Sequence, residues 1–210
     1  MTQINRENFL NECPSPITID ETSIILKQMQ NSICKIEIDK IEGAGFFCQI
    51  LNKKLLVTNN HIINKQMIKQ TNILKVLLND NKIKKTVKIL DFYTSVKYDT
   101  TLIEIDAKDE DINYLELDDD LFVENDNINN KGAYIIQYLK YGNEQKTAVS
   151  YGLLNEIQDE YNITYCASTD RDSSGWPIIK LSNKKVIGIH KESIDKFNFN
   201  RGTLLKYPIY

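Results

Sequence analysis

The sequence predicts an all-β protein, and three observations carry that reading. Short runs rich in Ile, Leu, Val, Tyr and Thr recur along the whole chain, several with period-two alternation, and turn residues separate them. Helical periodicity is legible in one short stretch near the N-terminus. Hydrophobic residues make up 41% and charged residues 26% of the 210, a balance that suits a packed globular core and not disorder. That length accommodates one domain or two small fused ones.

Residues 1–31 read as an extension. Pro14 and Pro16 exclude a regular element around them. Residues 20–30 then read as a helix with an apolar stripe of Ile25, Leu26 and Met29, capped by Asp20 or by a Thr18/Glu21 capping box. The helix is expected to pack on the first barrel. The other reading is a propeptide that gates activity, but no cleavage signal is legible.

Residues 32–107 form the first β unit. Cys34, Ile36 and Ile38 alternate with charged residues, as in a half-buried strand. Further strands are expected at 43–50, 53–58, 73–78, 84–91 and 101–105, a set of about six, usual for one sheet or small barrel. Residues 108–130 are dense in Asp, Glu and Asn and read as a solvated connection. The second unit, 131–210, is expected to hold strands at 133–139, 147–156, 161–167, 176–181, 185–190 and 202–206.

A net charge of −3 gives no electrostatic footprint for nucleic acid. No apolar run approaches the roughly 18 residues of a membrane span, and residues 1–8 carry no signal-peptide core. Together these point to a protein inside the cell. Cys13, Cys34, Cys48 and Cys166 are then expected as free thiols. The two histidines, His61 and His190, have no Cys/His company at zinc spacing, so neither a metal nor an organic cofactor is implied.

Three stretches carry chemistry. Leu55-Leu56-Val57-Thr58-Asn59-Asn60-His61 is an apolar run ending in a histidine. Tyr98-Asp99-Thr100-Thr101-Leu102-Ile103-Glu104-Ile105 is an apolar run opened by an aspartate. Ser168-Thr169-Asp170-Arg171-Asp172-Ser173-Ser174-Gly175-Trp176-Pro177 is a turn-forming loop that leads into a strand. A serine hydroxyl is a weak nucleophile until a base within about 2.6–3.2 Å takes its proton. Histidine, with a pKa of about 6.5, serves as both base and acid. Asp91 and Asp106 compete with Asp99, but only Asp99 directly precedes a Thr-x-Leu-x-Glu-x strand. Ser173 competes with Ser174, and the Gly-x-Pro that follows selects Ser174.

In these motifs, and in their order His61, Asp99, Ser174, the chain resembles the trypsin/chymotrypsin superfamily of serine peptidases over roughly residues 32–207. It is most similar to the compact disulfide-free members and the glutamyl endopeptidases. Other folds that use the same three residues place them in other orders. The resemblance implies two Greek-key β-barrels with the site between them and a polypeptide as substrate. It implies His61 as base, Asp99 as its orienting acid and Ser174 as nucleophile. The backbone N–H groups of Asp172 and Ser174 would form the oxyanion hole.

Ser168, Thr169 and His190 fall at positions that bind the side chain before the cleaved bond. There the glutamyl endopeptidases hold a carboxylate, so the expected preference is Glu or Asp. Two residues depart from the family pattern. Asp172 stands where Gly is usual, and Trp176 stands where a small residue is usual, with bulk enough to reshape the cleft. A second reading therefore stays open, a catalytically weak protease-like fold that binds peptides.

Overall fold

In a computed structural model, the structure describes residues 16–38, 41–80, 82–106, 112–122, 128–141, 144–169, 174–194 and 199–209. Strands β1 (Ile33–Ile38), β2 (Ile41–Ile50), β3 (Lys53–Thr58), β4 (Ile73–Leu78), β5 (Ile83–Ser95) and β6 (Thr100–Asp106) pair in the order β1-β4-β5-β6-β3-β2. Pairing of β1 with β2 closes them into a barrel. Strands β8 (Gly132–Tyr141), β9 (Glu144–Gln158), β10 (Asn162–Ala167), β11 (Pro177–Lys180), β12 (Val186–Ile194) and β13 (Phe199–Leu204) close a second barrel, ordered β10-β13-β12-β11-β8-β9. The expected all-β, two-barrel, chymotrypsin-type architecture is the observed one.

The continuous apolar runs in β2 and β3 have a physical reason. In a strand, successive side chains face opposite ways. Phe47 and Leu56 point into the first barrel with Cys34, Ile36, Val76 and Ile103. Phe46 and Val57, one residue away, join a second core with Tyr134, Trp176, Ile178 and Ile189. Both faces are buried, so neither strand alternates with polar residues. Full burial of each such side chain contributes roughly 1.5–3 kcal/mol.

Two expectations need correction. The 108–130 stretch is not a solvated connection where it is described. Ile112, Leu115, Leu117, Leu121 and Ile128 are buried. Strand β7 (Leu115–Glu116) adds in parallel to β2, and Leu117 bridges Val186 of β12. Asp118 is buried too, accepting from Lys180 Nζ at 3.1 Å and from Asn183 Nδ2 at 2.8 Å. The acidic residues that suggested exposure include one that staples the connection to the second barrel.

The other correction concerns helix α1 (Ile19–Asn31), which packs on both barrels, against β1 of the first and β9 of the second. Its capping box is the Thr18/Glu21 pair. Its buried face uses Ile25 and Gln28, while Leu26 is exposed. A polar residue replaces the expected leucine because both ends of its amide are hydrogen-bonded. Gln28 Nε2 donates to Lys184 O at 2.9 Å, and Tyr134 Oη donates to Gln28 Oε1 at 2.6 Å.

No helix among the described residues is long and apolar enough to cross a membrane. Cys34, Cys48 and Cys166 are free, and Cys13 lies outside the described residues. Burial raises the Cys34 thiol far above its ordinary range and pushes Cys48 up to about 12.

The Glu21–Lys184 ion pair, 2.6 Å long, ties α1 to the second barrel. Its Lys184 bond, then bonds from Thr18, hold the Glu21 carboxyl down from 4.5 to about 2. A lowered carboxyl stabilises the fold above its unfolded pKa and stops doing so as pH falls through the folded one. Glu21→Gln is expected to be less stable than wild type above pH 4.5, with the difference closing as pH falls toward 2. Urea melts across that range measure it.

Candidate active site

His61 lies just beyond β3, in a turn anchored on both sides. Thr58 Oγ1 donates to Ala44 O at 2.7 Å, and the N–H groups of Ile62 and Ile63 donate to Asn59 O at 3.2 and 3.0 Å. Asn59, Ile62 and Ile63 are buried, whereas the His61 side chain is half exposed.

Asp99 closes the turn before β6 with φ at +47°, left-handed backbone that Asp tolerates better than most residues. Its carboxylate grips His61 at two points. Oδ1 accepts from the His61 backbone N–H at 3.0 Å, and Oδ2 lies 2.8 Å from Nδ1. A carboxylate only accepts, so Nδ1 carries the proton and Nε2 is left as a base.

The turn itself is held from both barrels. Asn59 Nδ2 donates to Asp99 O at 3.0 Å. Thr203 Oγ1, from β13, donates to Tyr98 O at 2.8 Å. Tyr98 also meets Tyr161 edge-on, with ring centroids 5.1 Å apart.

Ser174 begins the turn into β11. The next residue, Gly175, has φ at +94°, and a Cβ there would lie 2.2 Å from Ala44 O and 3.2 Å from Ile62 Cδ1. The serine loop is thus pressed against the first barrel beside the residue that follows His61. Ser174 Oγ donates to Lys191 O at 2.8 Å, not to His61. Lys191 is the extra residue of a bulge in β12, where His190 pairs with Gly202 and Glu192 with Arg201. Bulges of this kind re-aim backbone next to sites. Asp170, Asp172 and Ser173 lie outside the described residues.

The expected substrate-side residues gather at the same end of the second barrel. Gly175 N–H donates to His190 O at 3.1 Å, and His190 N–H donates to Trp176 O at 2.9 Å. Thr169 and Ser168 line a cavity of about 360 Å³ with Ser193, Phe199 and Asn200. Thr169 Oγ1 donates to Asn200 Oδ1 at 2.7 Å. Ser168 is exposed, and its carbonyl accepts from Gln137 Nε2 at 2.8 Å. His190 is buried, with Nδ1 2.5 Å from Tyr165 Oη. Burial, then the charge of nearby His61, lowers its pKa to about 4. Among the described residues no His, Cys, Asp and Glu side chains group as a metal site.

Residues 43–189 match the trypsin-like peptidase domain family, well over half of the chain. The chain belongs to that family. No curated protein matches it. Among solved structures, the trypsin-like chain is similar to Deg5, with a TM-score of 0.64 at 19% identity over 90% of this chain and 91% of that one. It is similar to the inactive form of the Rv3671c protease of M. tuberculosis, with a TM-score of 0.62 at 17% identity over 94% of each. It is similar to a Glu endopeptidase in complex with MPD, with a TM-score of 0.62 at 16% identity over 83% and 85%. At these identities the likeness is one of fold.

One point differs from the sequence reading. Trp176 does not enter the cleft. It is 3% exposed and packs edge-on against Tyr138, with centroids 5.0 Å apart. A large ring is accommodated because the side chain after Gly175 turns into the core between the barrels. Burial holds His190 neutral at neutral pH.

Sequence reasoning missed Asn59, Thr203, Lys191, Tyr165 and Asn200. Asn59 stands inside a quoted motif, but only the folded chain shows what it holds.

The approach of Gly175 to Ala44 gives a direct test. Gly175→Ala adds a side chain at positive φ and forces it against a backbone carbonyl, strain of about 1–3 kcal/mol. A melting temperature lower by roughly 2–4 °C per kcal/mol is expected by calorimetry.

Proposed function

We propose that this trypsin-like chain is a serine endopeptidase working through an acyl-enzyme. The observation that carries the reading is the two-point grip of Asp99 on His61, at 3.0 and 2.8 Å, which leaves Nε2 as the base. In this mechanism Nε2 takes the Ser174 Oγ proton as Oγ attacks the scissile carbonyl. The backbone N–H groups of Asp172 and Ser174 receive the oxyanion. The His61 imidazolium, stabilised by Asp99, then protonates the leaving amine. Water, deprotonated by the same Nε2, releases the acyl group from Ser174. The substrate is a polypeptide. The free buried thiols Cys34 and Cys48 support a reducing, intracellular setting.

For the residue before the cleaved bond, resemblance to glutamyl endopeptidases implies Glu or Asp. The hydroxyl-lined cavity at Thr169 supports a polar side chain there. The acidic preference keeps these residues but lacks a protonated His190 at neutral pH.

One observation favours a second reading, a catalytically weak fold that binds peptides. The Ser174 hydroxyl proton rests on Lys191 O and must leave it before attack. Labelling with a fluorophosphonate separates the two. Wild type is expected to label, while Ser174→Ala is not, and a folded wild type that fails to label sinks the peptidase reading. Asp172→Gly restores the residue usual at this position in the resembled family and is expected to raise turnover by about tenfold, or about 1.4 kcal/mol of barrier. Steady-state assays of the pair measure it, and unchanged turnover would show that the aspartate does not hinder the donors.

A further inference from the structure

Three tyrosines meet across the barrel boundary next to the Asp99 turn. Tyr98, from the first barrel, lies edge-on to Tyr161 with centroids 5.1 Å apart, and Tyr207 packs on both, at 6.2 and 6.3 Å. All three are partly exposed. Lysine ammonium groups sit over these rings. Lys97 Nζ is 5.0 Å from the Tyr98 centroid and 5.5 Å from that of Tyr161. Lys191 Nζ is 5.9 Å from the Tyr161 centroid, and Lys206 Nζ is 5.1 Å from that of Tyr207. A ring's negative face holds a cation near it and leaves the charge open to solvent.

These lysines differ from the others in one respect. Lys53, Lys180, Lys184 and Lys185 each meet a carboxylate. Among the described residues Lys97, Lys191 and Lys206 meet none, and the one side-chain acceptor they share is Asn162 Oδ1, 3.3 Å from Lys191 Nζ. Lys97 and Lys191 both stand over Tyr161, so their charges lie within roughly one Debye length of each other, about 10 Å at 0.1 M salt. Their fields therefore add. The result is a local cationic patch on a chain whose net charge is −3. That net charge leaves no wider basic field for a polyanion such as nucleic acid.

The patch adjoins both halves of the candidate site. Lys97 stands two residues before Asp99, and Lys191 O accepts from Ser174 Oγ at 2.8 Å. We propose, resting on the serine-peptidase reading, that this patch receives an acidic side chain of the substrate, Asp or Glu, within about four residues of the cleaved bond, since an extended peptide advances about 3.3 Å per residue. This position is separate from the Thr169 cavity, which none of the three lysines lines. Complementary charge steers encounter and fixes register, and its effect weakens with salt.

The test uses the whole chain and fluorogenic peptides of one fixed cleavage sequence. Glu, Gln or Lys is placed in turn at each of the four positions on either side of the bond, leaving out the residue just before it. At low salt, Glu at one or more positions is expected to give kcat/KM at least fivefold above Gln, with Lys below Gln. Equal rates for Glu and Gln at every position, on peptides that are cut, overturn the proposal and leave the peptidase reading standing. Lys97→Glu and Lys206→Glu are each expected to shrink the Glu advantage while the Gln peptide is cut within twofold of wild type. An advantage that survives both reversals, or that is unmoved by 0.5 M salt, also overturns it. If no peptide is turned over, the peptidase reading has failed separately, and fluorescence anisotropy on Ser174→Ala still tests the patch. The Glu peptide is then expected to bind at least fivefold tighter than its Gln counterpart, and equal binding overturns the proposal.

Discussion

Ser174 and His61 belong to different barrels, and the apolar seam between those barrels is what holds their two loops together. Along it Phe46 and Val57 of the first barrel share a core with Tyr134, Trp176 and Ile178 of the second. Where the seam reaches the site, there is room for no side chain at Gly175, whose backbone lies against Ala44 and Ile62. Burial of this kind has no direction of its own. The direction comes from the strands, which place one face of β2 and β3 in each core.

The aspartate turn adds a second, polar tie across the same boundary. Asp99 takes a left-handed backbone, and the peptide before it is bonded to Thr203 of the second barrel. The side that orients His61 is therefore braced by the barrel that carries Ser174. Displacing the barrels would disturb the Asp99–His61 pair as well as the serine. Within the second barrel, the carbonyl of the Lys191 bulge holds the Ser174 hydroxyl.

Chemistry in the candidate pocket follows from burial more than from residue type. A histidine in sequence is equally a donor, an acceptor or a cation. Burial against Tyr165 reduces His190 to one form, neutral with its proton on Nε2. Asn200 Oδ1 gathers the Thr169 and Ser193 hydroxyls, which also meet each other at 3.1 Å.

Much of the architecture was legible from local pattern, because strand alternation and turn residues are short-range signals. Strands β3 and β4 fall on their expected ranges, and the Thr18/Glu21 capping box is the one observed. The order His61, Asp99, Ser174 pointed to the two-barrel fold, since the same residues on other folds come in another order. Local pattern failed where a residue's surroundings come from far along the chain. Gln28 of α1 is buried because Tyr134 and Lys184 meet it, and Asp118 is buried because Lys180 does. Leu26, apolar, faces solvent instead. The sequence by itself determined which elements form and which side chains are chemically able to act. Tertiary structure alone decided which carbonyl holds the Ser174 proton, which tautomer His190 adopts and which residues meet the Thr169 hydroxyl, because each depends on a hydrogen bond between segments the chain order leaves apart.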